Sequence, residues 1–116
     1  MANRNKTAGS NWEREVRRTF IDLGWDSAQT SRYASKMLDD LGVDLINTEP
    51  FYIQCKSTSK NLNIHNIIAE MPQVDGIMNI VAERRTEKRG KRFFKVGEYV
   101  HMKWDDFISL LKEIYE

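Results

Sequence analysis

Asp44, Gln54 and Lys56 bring an acid, an amide and an ammonium into one short stretch, "VDLINTEPFYIQCKS". The stretch reads as a hairpin, with strands over residues 43–47 and 51–56 and Thr48, Glu49 and Pro50 as turn residues. Side chains alternate faces along a strand, so Tyr52, Gln54 and Lys56 share one face and Phe51, Ile53 and Cys55 the other. With residues 48–50 as the connection, Asp44 falls opposite Gln54, at the ~5 Å Cβ spacing of cross-strand partners. Hard divalent cations take oxygen ligands, and magnesium keeps several waters beside one or two carboxylates. Asp44 and Gln54 are such ligands, with the backbone carbonyl of Cys55 as a third oxygen. Lys56 then adds a point charge for a phosphate or a hydroxide nucleophile. A simpler arrangement uses the same residues: an Asp44–Lys56 salt bridge with Gln54 solvated.

The elements that must position these groups follow from periodicity. Trp12, Val16, Phe20 and Leu23 recur at helical spacing, which predicts a helix opened by Ser10 and closed by Gly24, after a mobile arm over residues 1–9. Residues 25–30 suggest a short strand, and "SRYASKMLDDLG" a loop or a short helical turn. Ile64, Ile67, Ile68 and Met71 mark a second helix, capped by Asn63 and stopped by Pro72. "GIMNIVAE" is the apolar run of a buried central strand, and "RFFKV" and "YVHMK" read as two more. Asp105 or Asp106 is expected to cap a final helix that buries Phe107, Ile108, Leu111, Ile114 and Tyr115. The order predicts an α/β (α+β) fold, a mixed sheet of about five strands flanked by helices. Trp12 and Trp104 are expected in the core, and His65 and His101 as structural residues without an orienting acid.

The chain has 116 residues, 41% apolar and 30% charged, as in one ordinary globular domain. No apolar run approaches the ~20 residues of a membrane span, and no signal peptide is visible. A lone cysteine fits a reducing, cytoplasmic setting, and one cysteine with two separated histidines cannot build a four-ligand zinc site. The net charge of +1 hides a segregation. Residues 84–95 carry seven bases against Glu87, whereas residues 98–116 are acidic. Such a basic segment suits a polyanion, or is a solvated hairpin tip.

Read whole, "AGSNWEREVRR…TSRYASKMLDDLGVDLINTEPFYIQCKS" resembles the PD-(D/E)XK nucleases, and among them the small Holliday junction resolvases of archaea and phages. Gly9, Ser10 and Glu13 match the family's Gly-Ser and first-helix glutamate. Ser31, Arg32 and Ser35 match its serine-containing loop, Asp44 its aspartate, and Gln54 and Lys56 its ExK strand. Val43 stands where the family has proline and Gln54 where it has glutamate, which removes one negative charge from the metal site.

The resemblance implies a restriction-endonuclease-like core over residues 1–116 and a metal site of Glu13, Asp44, Gln54 and the Cys55 carbonyl. It implies magnesium, with manganese as a substitute, and a homodimer that cuts four-way branched DNA in the cytoplasm, the host's if a phage encodes it. Ser10–Glu13 is also an S-x-x-E capping box, in which Glu13 serves only the helix start. Ser10, Arg14, Arg17, Arg18, Ser31, Arg32, Ser35, Lys36 and Lys60 are the expected phosphate-binding set around the site. Asp39 and Asp40 read as exposed turn residues. Two further functions use the same residues: a restriction or repair nuclease acting on linear or mismatched duplex, and a decayed, non-catalytic DNA-binding module.

Overall fold

The computed structural model describes residues 4–116. Helix α1 (Arg4–Leu23) is followed by β1 (Gln29–Thr30), two short helices α2 (Ser31–Ala34) and α3 (Lys36–Asp40), and the hairpin β2 (Leu45–Ile46) and β3 (Phe51–Thr58). Then come α4 (Ile64–Glu70), β4 (Met78–Arg89), β5 (Arg92–His101) and α5 (Trp104–Tyr115). The five strands form one mixed sheet in the order β1-β2-β3-β4-β5. Only the β3–β4 pair is parallel, and α4 is its crossover. The expected α+β fold, a mixed five-stranded sheet flanked by helices, is the one observed.

The core lies between α1 and one face of the sheet. Trp12 and Val16 meet Leu45, Ile53, Ile80 and Ala82, with Phe20 and Phe51 packed at the margin. The Trp12 indole donates to the Ala82 carbonyl at 2.9 Å, so the helix is keyed to the central strand by a polar bond as well as by area. On the opposite face α4, capped by the Asn63 side chain as expected, buries Ile68.

The ends of α1 and α3 share one device. Gly24 and Gly42 have φ of 119° and 84°, a region that side chains with a Cβ rarely enter. At each, two backbone bonds close the helix: Trp25 N–H to Phe20 O with Gly24 N–H to Ile21 O, and Val43 N–H to Leu38 O with Gly42 N–H to Asp39 O. These are Schellman closures. The Phe20 and Trp25 rings supply the apolar contact that accompanies the first, 5.1 Å apart edge to face.

Several expectations are corrected. The first helix begins at Arg4, not Ser10, so residues 4–9 are helical rather than an arm. The remainder of the expected arm, residues 1–3, lies outside the described residues. Ser10 is therefore inside the helix, and the capping box with Glu13 does not exist. The strand expected over residues 43–47 pairs regularly only at Leu45 and Ile46. The two strands expected over residues 92–96 and 99–103 are one, because a bulge opposite Arg85 and Thr86 absorbs Val96 without ending the ladder. Gly97 sits beside that bulge, where a Cβ would overlap the Tyr99 ring.

The last helix is preceded by Lys103, which gives it no side-chain cap, and Asp105 and Asp106 lie in its first turn instead. Its apolar stripe is not buried: Trp104 is 71% exposed, Ile114 61% and Tyr115 81%, while Ile108 and Leu111 are half-buried. Helical periodicity marks an apolar stripe but cannot show that the chain supplies its partner. Among the described residues no helix is long and apolar enough to cross a membrane.

The two kinds of helical glycine should separate in stability. A Cβ on Gly42 would meet the Gln54 amide oxygen at 3.1 Å in a left-handed backbone, whereas one on Gly9, within α1, meets nothing within 4 Å. Gly42→Ala should lose about 1–2 kcal/mol in urea unfolding, and Gly9→Ala should gain about 0.5–1 kcal/mol. Equal effects would contradict this reading.

Candidate functional site

Asp44 is delivered by the α3–β2 connection. The Ser35 hydroxyl caps α3, Gly42 closes it, and Val43 is fully buried behind it. The buried Ser31 holds both sides of the turn: its N–H donates to the Asp44 carbonyl at 2.8 Å and its hydroxyl to the Val43 carbonyl. Leu45 pairs with Ile53, the register expected for a connection over residues 48–50, but Asp44 is not paired with Gln54 as expected, and the groove that Gln54 lines does not include it. The Asp44 N–H donates to the Ile53 carbonyl at 2.8 Å, and its carboxylate accepts the Cys55 N–H at 2.7 Å.

The carboxylate thus bends toward the strand backbone. Gln54 and Lys56 line a groove of about 310 Å³ with Gly42, Ile67, Glu70 and Met71, under α4. The alternative salt bridge between Asp44 and Lys56 is absent among the described residues, and Lys56 makes no other ion pair there.

Burial is the chief influence on the acids. It raises the Asp44 carboxyl from 3.8 to about 6, against the lowering effect of the Cys55 N–H. Glu13 and Asp39 push it up further, and Lys56 pulls it down. Burial also raises Glu13, opposed by Arg32, whose guanidinium donates to it at 2.7 Å and to Ser10 Oγ at 3.2 Å. Cys55 is pushed up by burial and by both acids, so its thiol is a packing group rather than a nucleophile. Asp39, read from sequence as an exposed turn acid, is half-buried and acts on Glu13 and Asp44 together. Its only sequence signal was its place in a short helix that leads into the turn before Asp44.

The other expected residues divide. Ser10, Glu13 and Arg32 converge, as do Ser31 and Asp44. Ser35 serves as a helix cap, and Arg17 donates to the Ala28 carbonyl at 2.9 Å. Arg18 pairs with Asp22 on the surface, while Arg14, Lys36 and Lys60 are exposed. Part of the basic run of residues 84–95 is also structural. Arg84 is paired with Glu15 and Glu98 and lies 4.4 Å over the Trp12 ring, and Arg85 binds the Lys60 carbonyl and Asn61. One expectation is overturned outright: His101 does have an orienting acid, the buried Glu83, at 2.8 Å.

Among the described residues no group of three or more His, Cys, Asp or Glu side chains is gathered closely enough to hold a metal ion. Any cation here would need the Gln54 amide or backbone carbonyls beside the acids. Among the described residues the arrangement offers a partly buried carboxylate without an ion-pair partner, a second acid locked by an arginine, and a lysine on the adjoining strand without an ion pair.

The pH dependence follows from Asp44. Its folded pKa lies above the unfolded value, so between about 4 and 6 the folded chain holds a proton that the unfolded chain has lost. Stability should fall as pH rises through that interval and stay lower above it. Asp44→Asn keeps an oxygen for the Cys55 N–H and removes the charge. In chelator it should raise stability at pH 8 by up to about 3 kcal/mol and give little gain at pH 4. A loss at pH 8, or a gain independent of pH, would contradict this origin. Compared with family models, with curated proteins and with solved structures, the chain matches none.

Proposed function

We propose that this protein is a magnesium-dependent endonuclease that resolves four-way DNA junctions by phosphodiester hydrolysis, working as a two-fold homodimer. The observation that carries the proposal is the Asp44 carboxylate, partly buried beside Glu13 and within the influence of Lys56 but with no ion-pair partner among the described residues. A structural acid at that depth is ordinarily paired, because an uncompensated buried charge is costly. An unpaired one is a functional-site candidate. The ordered resemblance of Glu13, Asp44, Gln54 and Lys56 to the junction resolvases supports the same reading.

The donor chemistry fits a hard divalent cation. Asp44 and Glu13 offer carboxylates and Gln54 and the Cys55 backbone offer neutral oxygens, with no sulfur or imidazole required. When bound, such an ion supplies Lewis acidity and a more acidic water. The chain's own residues do the rest. Lys56 binds the scissile phosphate and stabilises the charge that grows on its oxygens during attack. Arg32 fixes Glu13 in place, and Ser31 and Gly42 fix the backbone of Asp44. Exposed bases near the site (Arg14, Lys36, Lys60) contact phosphates without reading sequence. Two symmetric cuts across a junction require two sites related by a two-fold axis.

A non-catalytic junction-binding module is the competing reading. It is favoured by the uncharged Gln54 and by the absence of a three-acid cluster among the described residues.

One substrate panel tests the proposal: a four-way junction against linear and mismatched duplex, in magnesium and in chelator. The expected result is paired, magnesium-dependent nicking of the junction. Asp44→Asn and Lys56→Ala should bind the junction yet lower cleavage at least ~100-fold. Gln54→Glu should reduce the magnesium needed for half-maximal rate, since the added charge attracts the ion. Junction binding without cleavage at any magnesium concentration would establish the non-catalytic module. Equal cutting of linear duplex would make the protein a restriction or repair nuclease.

A further inference from the structure

Nine of the thirteen large apolar side chains that the described residues leave exposed lie on β5 and α5, which are consecutive in the chain. β5 is the outer strand of the sheet, with no neighbour on its far side among the described residues. α5 packs closely on none of the other elements. Beside β5, an apolar groove of about 230 Å³ runs along α1 past Val16, Phe20, Ile80 and Val100. Strand edge, groove and helix stripe are each unpartnered among the described residues, and together they exceed the scattered apolar residues of an ordinary surface.

Charge and area identify the occupant. The β4–β5 tip carries Lys88, Arg89, Lys91 and Arg92 against Glu87, and α5 carries Asp105, Asp106, Glu113 and, just beyond it, Glu116 against Lys112. Within one chain these lie at opposite ends of β5. Two copies facing each other across β5 on a two-fold axis run antiparallel, which brings the basic tip of each beside the acidic helix of the other. The face is therefore complementary to itself, as an isologous interface must be. Six aromatics on it (Phe93, Phe94, Tyr99, Trp104, Phe107 and Tyr115) are exposed. At about half of ~200 Å² each they offer roughly 600 Å² per copy, near the ~800 Å² per partner of a standard interface. The bulge at Val96 interrupts the outer edge, so side-chain packing rather than a continuous intermolecular ladder joins the copies.

We propose that the β5–α5 face binds a second copy of this chain, each copy's α5 stripe lying on the β5 side of the other and its β4–β5 tip beside the other's α5. This gives a surface to the pairing on which the junction reading rests. Its test needs neither DNA nor metal, so either can fail alone.

Sedimentation analysis of the full chain in chelator should show a dimer at micromolar concentrations. Phe107→Glu with Ile114→Glu should weaken it at least ~100-fold while leaving the circular dichroism spectrum unchanged, because both side chains are exposed in one chain. Lys88→Glu with Arg92→Glu should also weaken the dimer. Adding Asp105→Lys with Asp106→Lys to that variant should restore it. A monomeric wild type, a dimer indifferent to the α5 variant, or charge reversal without restoration would each overturn the proposal.

Discussion

The hydrogen bond from the Cys55 N–H to the Asp44 carboxylate holds an acid at the edge of the apolar side of the sheet, with no ion-pair partner among the described residues. The rest of the site is arranged around that constraint. The Gly42 closure and the Ser31 bonds fix the backbone that presents the acid, and its bonds to Ile53 and Cys55 tie it to β3. Helix α1 adds Glu13, and Arg32 offsets part of the repulsion that follows. A neutral side chain at position 44 would keep the hydrogen bond and relieve the desolvation. Stability alone therefore does not account for an aspartate there, whereas the cation-binding role proposed above would.

The same tension orders the neighbouring groups. Glu13 and Asp39 both raise the Asp44 carboxyl, and burial raises Glu13 in turn. Lys56 stands near enough to lower Asp44 electrostatically but does not pair with it.

Much of this was legible in sequence because it depends on period and on local chemistry. The period-two alternation and the residues 48–50 connection set the register that pairs Leu45 with Ile53, though not the bond of Asp44 to Ile53 that takes the acid out of line with Gln54. The apolar run of β4 and the Asn63 cap of α4 were equally local signals. Three features were not legible, each for a physical reason. The start of α1 at Arg4 lacks an apolar pattern, so a polar helical turn looked like an arm and Ser10 looked like a cap. The Arg32–Glu13 bond and the Glu83–His101 pair join residues nineteen and eighteen positions apart, and only the packing of the elements brings them together. The direction of the Asp44 carboxylate depends on a single side-chain-to-backbone bond. The stripe of α5 was read correctly as apolar and wrongly as buried, because amphipathicity says that a partner is needed and not which chain provides it.

The central claim is that Asp44 is a destabilised carboxylate whose charge a divalent cation relieves. Carbon-detected nuclear magnetic resonance of the Asp44 carboxyl, titrated with pH in chelator and again in magnesium, measures this directly. The account predicts an apparent pKa of about 6 in chelator, well above the ordinary 3.8, and a clear fall when magnesium is added. An ordinary value that magnesium leaves unchanged would contradict it.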